Sequence, residues 1–223
     1  MPLILNIDSA LETASVCLSE KLDCMGQLSN GDQKDHAAWL HEAIRQLLLQ
    51  SGKLVKDLEA VAVSIGPGSY TGLRVGLSTA KGLCYALGIP LITVETLKLM
   101  AFAVKEEAKE LICPLIDARR MEVYTALYDN EMTEKQQPRA MIIDENSFSH
   151  LLSNHNLTFC GSGQKKLKKL ITNDNASWTD SISTALHLSL IADQYFREGK
   201  FADLAYTEPL YIKDFHTGHK SVK

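Results

Sequence analysis

The sequence predicts an α/β protein of two lobes, and three observations carry that expectation. Short apolar runs suited to buried strands recur at 3–8, 15–18, 25–28, 58–65, 90–94, 112–117 and 122–128. Helical patterns separate the later runs of the first half. Strands joined by turns, then strands joined by helices, build a sheet that is antiparallel on one side and parallel on the other. With 45% hydrophobic residues, the 223-residue chain can fill one large core or two small ones. We expect a first lobe over 1–105 and a second over 106–223, with the final helix returning to pack on the first.

Residues 3–8 are apolar up to Asp8 and read as a first strand, without the basic start and cleavage site of a secretory leader. Residues 15–18 and 25–28 flank a polar turn at 20–23. Asp35 is placed to cap a helix over 36–51, and Gly52 to stop it. Ala37, Leu40, Ala43, Ile44, Leu47 and Leu48 fall on one face of that helix; Trp39 and Leu49 lie off the stripe, open to a second contact. Strand 58–65 enters a Gly66-Pro67-Gly68 turn, and a helix over 71–87 ends at Gly88-Ile89-Pro90. Strand 90–94 and a helix over 96–109 follow. Strands 112–117 and 122–128, joined by Ala118-Arg119-Arg120-Met121, open the second lobe. The polar stretch 130–140 predicts a loop, and 157–161 a strand running into Gly161-Ser162-Gly163. A helix over 164–170 carries Lys165, Lys166, Lys168 and Lys169, a solvated face with RNA contact as the sharper alternative. A helix over 184–198 sets Leu186, Leu190, Ala192 and Asp193 near its buried side, and 205–212 closes the chain in extended form.

The helix over 71–87 has two faces. At about 100° per residue, Leu73, Gly76, Leu77, Ala80, Leu83, Cys84 and Leu87 form a broad apolar face. Val75, Thr79, Gly82 and Ala86 form a narrower one of small groups, with the 4-3-4 spacing of packed helices. One face packs on the sheet. The other is expected to meet a second subunit, together with Trp39 and Leu49 of the 36–51 helix.

Several chemistries lack support. The glycine turn is neither G-x-x-x-x-G-K-[ST] nor G-x-G-x-x-G. Asp8 and Ser9 are the candidates for a cofactor site, because a carboxylate at a strand end can serve a metal or phosphate. The loop 8–13 holds no glycine, however, so close backbone approach to phosphate is hindered. None of the seven histidines forms H-E-x-x-H or H-x-x-x-H; His36 and His41 fall on different helix faces, and His216 and His219 sit in a polar tail. The cysteines (Cys17, Cys24, Cys84, Cys113 and Cys160) are odd in number and form no C-x-x-C pair, as in a reduced cytosolic protein. Ser69 and Tyr70 have no evident base. A net charge of −4 gives no basic footprint for gripping nucleic acid alone. No apolar run approaches the ~20 residues that span a bilayer. We therefore expect no metal, no cofactor and no membrane contact, in a cytoplasmic protein.

The segments Ile4-Leu5-Asn6-Ile7-Asp8-Ser9, Ser15-Val16-Cys17-Leu18, the stretch from Gly66 to Gly82, Asp117-Ala118-Arg119-Arg120-Met121-Glu122-Val123-Tyr124 and Pro209-Leu210-Tyr211-Ile212 together resemble the bacterial TsaB (YeaZ) family. The likeness spans nearly the whole chain. It implies an actin-like fold of the sugar kinase and Hsp70 type. It also implies a non-catalytic subunit in making threonylcarbamoyladenosine beside the tRNA anticodon. The implied partners are the catalytic paralogue TsaD, paired through the first two helices, and the ATPase TsaE at the junction of that pair. A homodimer through the same helices is implied when TsaD is absent, and tRNA is met at most indirectly. TsaD binds metal through an H-x-x-x-H pair; the matching segment here, 94–100, has Thr96 and Met100 and no histidine. The alternative is a stand-alone ATP-dependent kinase or peptidase of the same superfamily, or a plain nucleotide sensor.

Overall fold

Leu3–Asp8 forms strand β1, six consecutive buried residues as a central strand requires. In this computed structural model, residues 2–31 and 36–213 are described, without the side chains of 36 and 37. β1 pairs antiparallel with β2 (Ala14–Glu20), which pairs antiparallel with β3 (Asp23–Asn30). Helix α1 (His36–Gln50) leads through a 3-10 turn at Val55–Asp57 to β4 (Ala60–Ser64), parallel to β1. Helix α2 (Tyr70–Leu87) leads to β5 (Leu91–Val94), parallel to β4, and α3 (Thr96–Val104) follows. The first sheet is ordered β3-β2-β1-β4-β5.

The second sheet repeats that plan. β6 (Leu111–Asp117), β7 (Glu122–Asp129) and β8 (Glu134–Ile142) are antiparallel; α4 (Ser149–Leu152), β9 (Leu157–Cys160), α5 (Gln164–Leu167), β10 (Ala176–Thr179) and α6 (Ala185–Arg197) follow. β9 is parallel to both β6 and β10. The result is the expected α/β fold: two mixed sheets flanked by helices.

Several expectations are corrected. The stretch 130–140, expected as a loop, contributes most of β8: its polar residues sit on an exposed edge strand, where one face needs no core. The helix expected to 109 stops at Val104, and Glu107 beyond it accepts hydrogen bonds from Thr179 and Ser181. The lysine helix shrinks to one turn, Gln164–Leu167. Helix α6 turns Leu188, Ile191 and Ala192 onto Ile4, Ala60, Ala62, Ile92 and Val94. Leu190 is thereby exposed and Leu186 only half-buried, because the 3-4 spacing that meets this sheet starts from Ala185, just after the Thr184 cap. Residues 205–212 join no sheet. Asp203 Oδ1 accepts from the amides of Ala205 and Tyr206 and turns the chain, and Leu210 then donates its amide to Ile65. The Asp35 cap and the His216 and His219 tail lie outside the described residues.

Candidate functional site: the α2 face and the interlobe cleft

Helix α2 begins where the sequence turns sharply. Gly66 has φ +122°, and a Cβ there would lie 2.6 Å from the Leu210 carbonyl oxygen. Ser69 caps the helix, its Oγ accepting from the Gly72 amide. The loop after β1 lies directly on this end. Ser69 donates its amide to the Ala10 carbonyl at 2.7 Å, and Ser9 Oγ donates to the Gly72 carbonyl at 2.8 Å. A Cβ on Gly72 would overlap the Ser9 carbonyl oxygen.

These contacts place Asp8 and Ser9 behind the cleft wall. Both are buried. Asp8 Oδ1 accepts from Ser64 Oγ at 2.6 Å and from the Ala10 amide. Burial pushes the Asp8 carboxyl above its ordinary range, against the lowering effect of those two bonds. Their polar groups hold the turn together and do not line the cleft. Thr96 is occupied too: its hydroxyl accepts from the Gly66 amide, while Met100 lies buried against Gly161. A hydroxyl already used and a buried thioether do not fit a hard metal ion.

The buried side of α2 is Gly72, Leu73, Gly76, Leu77, Ala80 and Cys84. Val75 and Thr79 are half-buried, and Gly82 and Ala86 are exposed. A Cβ on Gly82 would meet no described residue within 4 Å. Beside this stripe runs a groove of about 280 Å³ between α1 and α2, lined by His41, Ile44, Ser78, Thr79, Gly82 and Leu83. The C-terminal strap is also held on α2, by Lys81 Nζ on the carbonyls of Ala205 and Thr207 and by Arg74 Nε on the Tyr211 hydroxyl. Leu49 is 71% exposed at the end of α1, whereas Trp39 packs partly into the first-lobe core. At about 100° per residue Trp39 lies far round α1 from His41, so the structure does not bring it to the groove. His41 and Ser78 were missed from the candidate face. The signal for them is their phase: each sits one helical turn from a small or apolar member of the groove.

Between the lobes lies an open cleft of about 1040 Å³. Its first-lobe wall is the Ala10 to Glu12 loop and the start of α2; its second-lobe wall carries Asp117, Arg119, Arg120, Ser162, Lys165 and Lys166. Burial raises the Asp117 carboxyl, but Lys166 and the Arg119 amide outweigh it and hold the group below its usual range. Among the described residues no group of three His, Cys, Asp or Glu could hold a metal ion, and no helix is long and apolar enough to cross a membrane.

Comparison with known proteins now bears on both features. The family described as TsaD, tRNA N6-adenosine threonylcarbamoyltransferase, matches residues 30–214. A protein from Escherichia coli (strain K12), named tRNA threonylcarbamoyladenosine biosynthesis protein TsaB, is 30% identical over 95% of this chain and 94% of its own length. The chain belongs to the TsaB family. The Bacillus subtilis (strain 168) TsaB is 35% identical over 60% of this chain, a match spanning 59% of that relative. The solved structure of YeaZ from Pseudomonas aeruginosa shares the fold, with a TM-score of 0.79 at 24% identity over 95% of this chain and 100% of that one. The ethanolamine utilization protein EutJ from Carboxydothermus hydrogenoformans reaches a TM-score of 0.51 at 8% identity, over 85% of this chain and 90% of that one. The shared architecture is the two-lobed, actin-like one.

Proposed function

We propose that this chain is a non-catalytic subunit in the threonylcarbamoylation of the adenosine beside the tRNA anticodon. It pairs with the catalytic paralogue TsaD through α1 and α2, helps recruit the ATPase TsaE to the junction, and works in the cytoplasm. The observation that carries this reading is the bare small-residue stripe on α2. Gly82 and Ala86 are exposed, and no described residue lies within 4 Å of where a Gly82 Cβ would stand, next to a groove that two helices of a partner would fill. A helix that served only its own sheet would place polar residues there. The non-catalytic role is supported by Asp8, Ser9 and Thr96, whose polar groups are committed to holding the fold. Because a paralogue would share this surface, we expect a homodimer through the same helices when TsaD is absent.

Two measurements test the reading. Threonylcarbamoyl transfer to tRNA, reconstituted with and without this chain, should require it although it is inert alone. Gly82→Arg should abolish co-elution with TsaD while leaving the isolated chain folded and melting no lower than wild type, because no described residue lies where the new side chain starts and arginine suits a helix better than glycine. Co-elution of that variant at wild-type strength refutes the α2 assignment.

A further inference from the structure

The chain carries a net charge of −4, yet the second-lobe side of the interlobe cleft is basic. Arg119, Arg120, Lys165 and Lys166 line it, and Lys213 joins them from the strap. Two of these are matched: Lys166 pairs with Asp117 and Lys213 with Glu122. The side chains of Arg119 and Arg120, and Lys165, form no ion pair or hydrogen bond among the described residues. Both arginines are exposed, on the tight turn between β6 and β7, with φ of +66° and +46°. Such a turn favours Asn-Gly, so long cationic side chains here run against local preference. Aromatic faces are interleaved with the charges: Tyr124 and Tyr211 line the same cleft, and Arg74 lies over the Tyr70 ring.

The first-lobe wall differs. The Ser69 amide is given to Ala10 and the Gly72 amide to Ser69 Oγ, so these donors at the start of α2 are consumed. A nucleotide phosphate is commonly held by free backbone amides at a helix N-terminus, and the Ser69 and Gly72 amides here are already bonded. A polymer laid along one wall needs cations on that wall alone, with aromatic rings for its unpaired bases. We propose that the second-lobe wall of this cleft, centred on Arg119, Arg120 and Lys165, is a docking surface for the phosphodiester backbone of RNA. The identity of the RNA rests on the tRNA-modification reading above; the geometry of the surface does not.

The test uses the full chain and a fluorescein-labelled tRNA transcript, titrated at several salt concentrations. The wild-type chain should bind with an affinity that falls steeply with salt. Arg119→Glu with Arg120→Glu should weaken binding by at least about tenfold and lower the salt slope by about 0.7–0.9 for each phosphate no longer neutralised. Lys165→Glu serves as a second variant if the turn fails to fold. Excess ATP should leave the RNA bound. No saturable RNA binding at low salt, equal binding by folded variants, or displacement by ATP would each overturn the proposal. Gly82→Arg separates it from the pairing reading: that variant should lose TsaD and keep RNA. If it keeps TsaD, the pairing reading fails while the RNA measurement stands.

Discussion

The two lobes of this chain have the same strand order and very different helices. In each, an antiparallel trio is followed by two parallel strands, giving β3-β2-β1-β4-β5 and its counterpart β8-β7-β6-β9-β10. In each, the first strand ends on an aspartate, Asp8 or Asp117. The helices between the third, fourth and fifth strands have 15 and 18 residues in the first lobe and 4 each in the second. One turn therefore suffices to carry this chain across such a sheet. The extra length of α1 and α2 exceeds what the connection demands, and it displays the stripe that includes Gly82. The aspartates diverge likewise: Asp8 is buried in a closed loop, while Asp117 stands exposed beside the cations of the cleft. One lobe has closed its half of the cleft and extended its helices; the other has kept its half open.

This contrast implies that the second lobe relies on its aromatic core where the first has long helices. Phe159 is fully buried, stacks on Trp178 at 4.8 Å and meets the edge of Phe148 at 5.3 Å. Phe159→Ala should lower stability by about 3–5 kcal/mol, the largest effect expected here. Urea unfolding followed by fluorescence of a Trp39→Phe background, in which Trp178 is the one remaining tryptophan, measures it. A loss well under that range would mean that α6 and the first lobe, not the aromatic stack, hold the second sheet.

In the first lobe the sensitive point is the closed loop. Gly72→Ala forces a methyl into the Ser9 carbonyl oxygen and should cost about 1–3 kcal/mol by overpacking. Thermal unfolding reads the change. An unaltered melting temperature would show that the loop after β1 can move aside, and the first-lobe wall would then be less closed than its hydrogen bonds indicate.

The sequence made β1, β4 and β5 of the first sheet legible, because they are apolar runs, and α2 carries its own stop at Gly88, in a left-handed conformation. β2 and β3 run past the expected 15–18 and 25–28 at both ends, where most of the added residues are polar. The second lobe was harder to read for physical reasons. β8 is an edge strand whose residues are exposed or half-buried, so its apolar signal is weak. α4 and α5 are too short for any helical period to show. The repeat of the two lobes is one of topology, and their helix lengths differ so much that no sequence period reveals it. For the site, small-residue spacing located the α2 stripe. Nothing in the spacing showed that Asp8 and Ser9 turn inward, because their partners Ser64 and Gly72 are 56 and 63 residues away.

Asp8 sharpens the comparison with Asp117 through pH. Burial raises the folded-state pKa of Asp8 above its reference value of 3.8. As pH rises from there to the folded pKa, the unfolded chain releases a proton that the folded chain retains. The unfolded state then binds fewer protons, so this group makes stability fall as pH rises through that window. Asp8→Asn keeps an oxygen to accept from Ser64 and Ala10 and cannot ionise. The variant should melt higher than wild type at pH 7, with the gap closing as pH is lowered towards 4. A lower melting temperature at pH 7 would mean that the Asp8 charge is stabilised by its surroundings and that the two aspartates are less different than their burial suggests.

The smallest effect separates folding from display within α2 itself. Gly82 occupies a mid-helix position where glycine is unfavourable, and no atom of the described residues comes within 4 Å of where its Cβ would stand. Gly82→Ala should therefore stabilise the isolated chain by about 0.5–1 kcal/mol, opposite in sign to Gly72→Ala in the same helix. If the stripe is a close-packed subunit contact, that one methyl should also weaken pairing with TsaD measurably, though far less than Gly82→Arg does. Calorimetric melting gives the first quantity and titration of the partner gives the second. A variant gaining stability and losing affinity shows a glycine retained for what the helix presents. A gain in both would mean that Gly82 is not at the interface, and the extra length of α2 would need a different explanation.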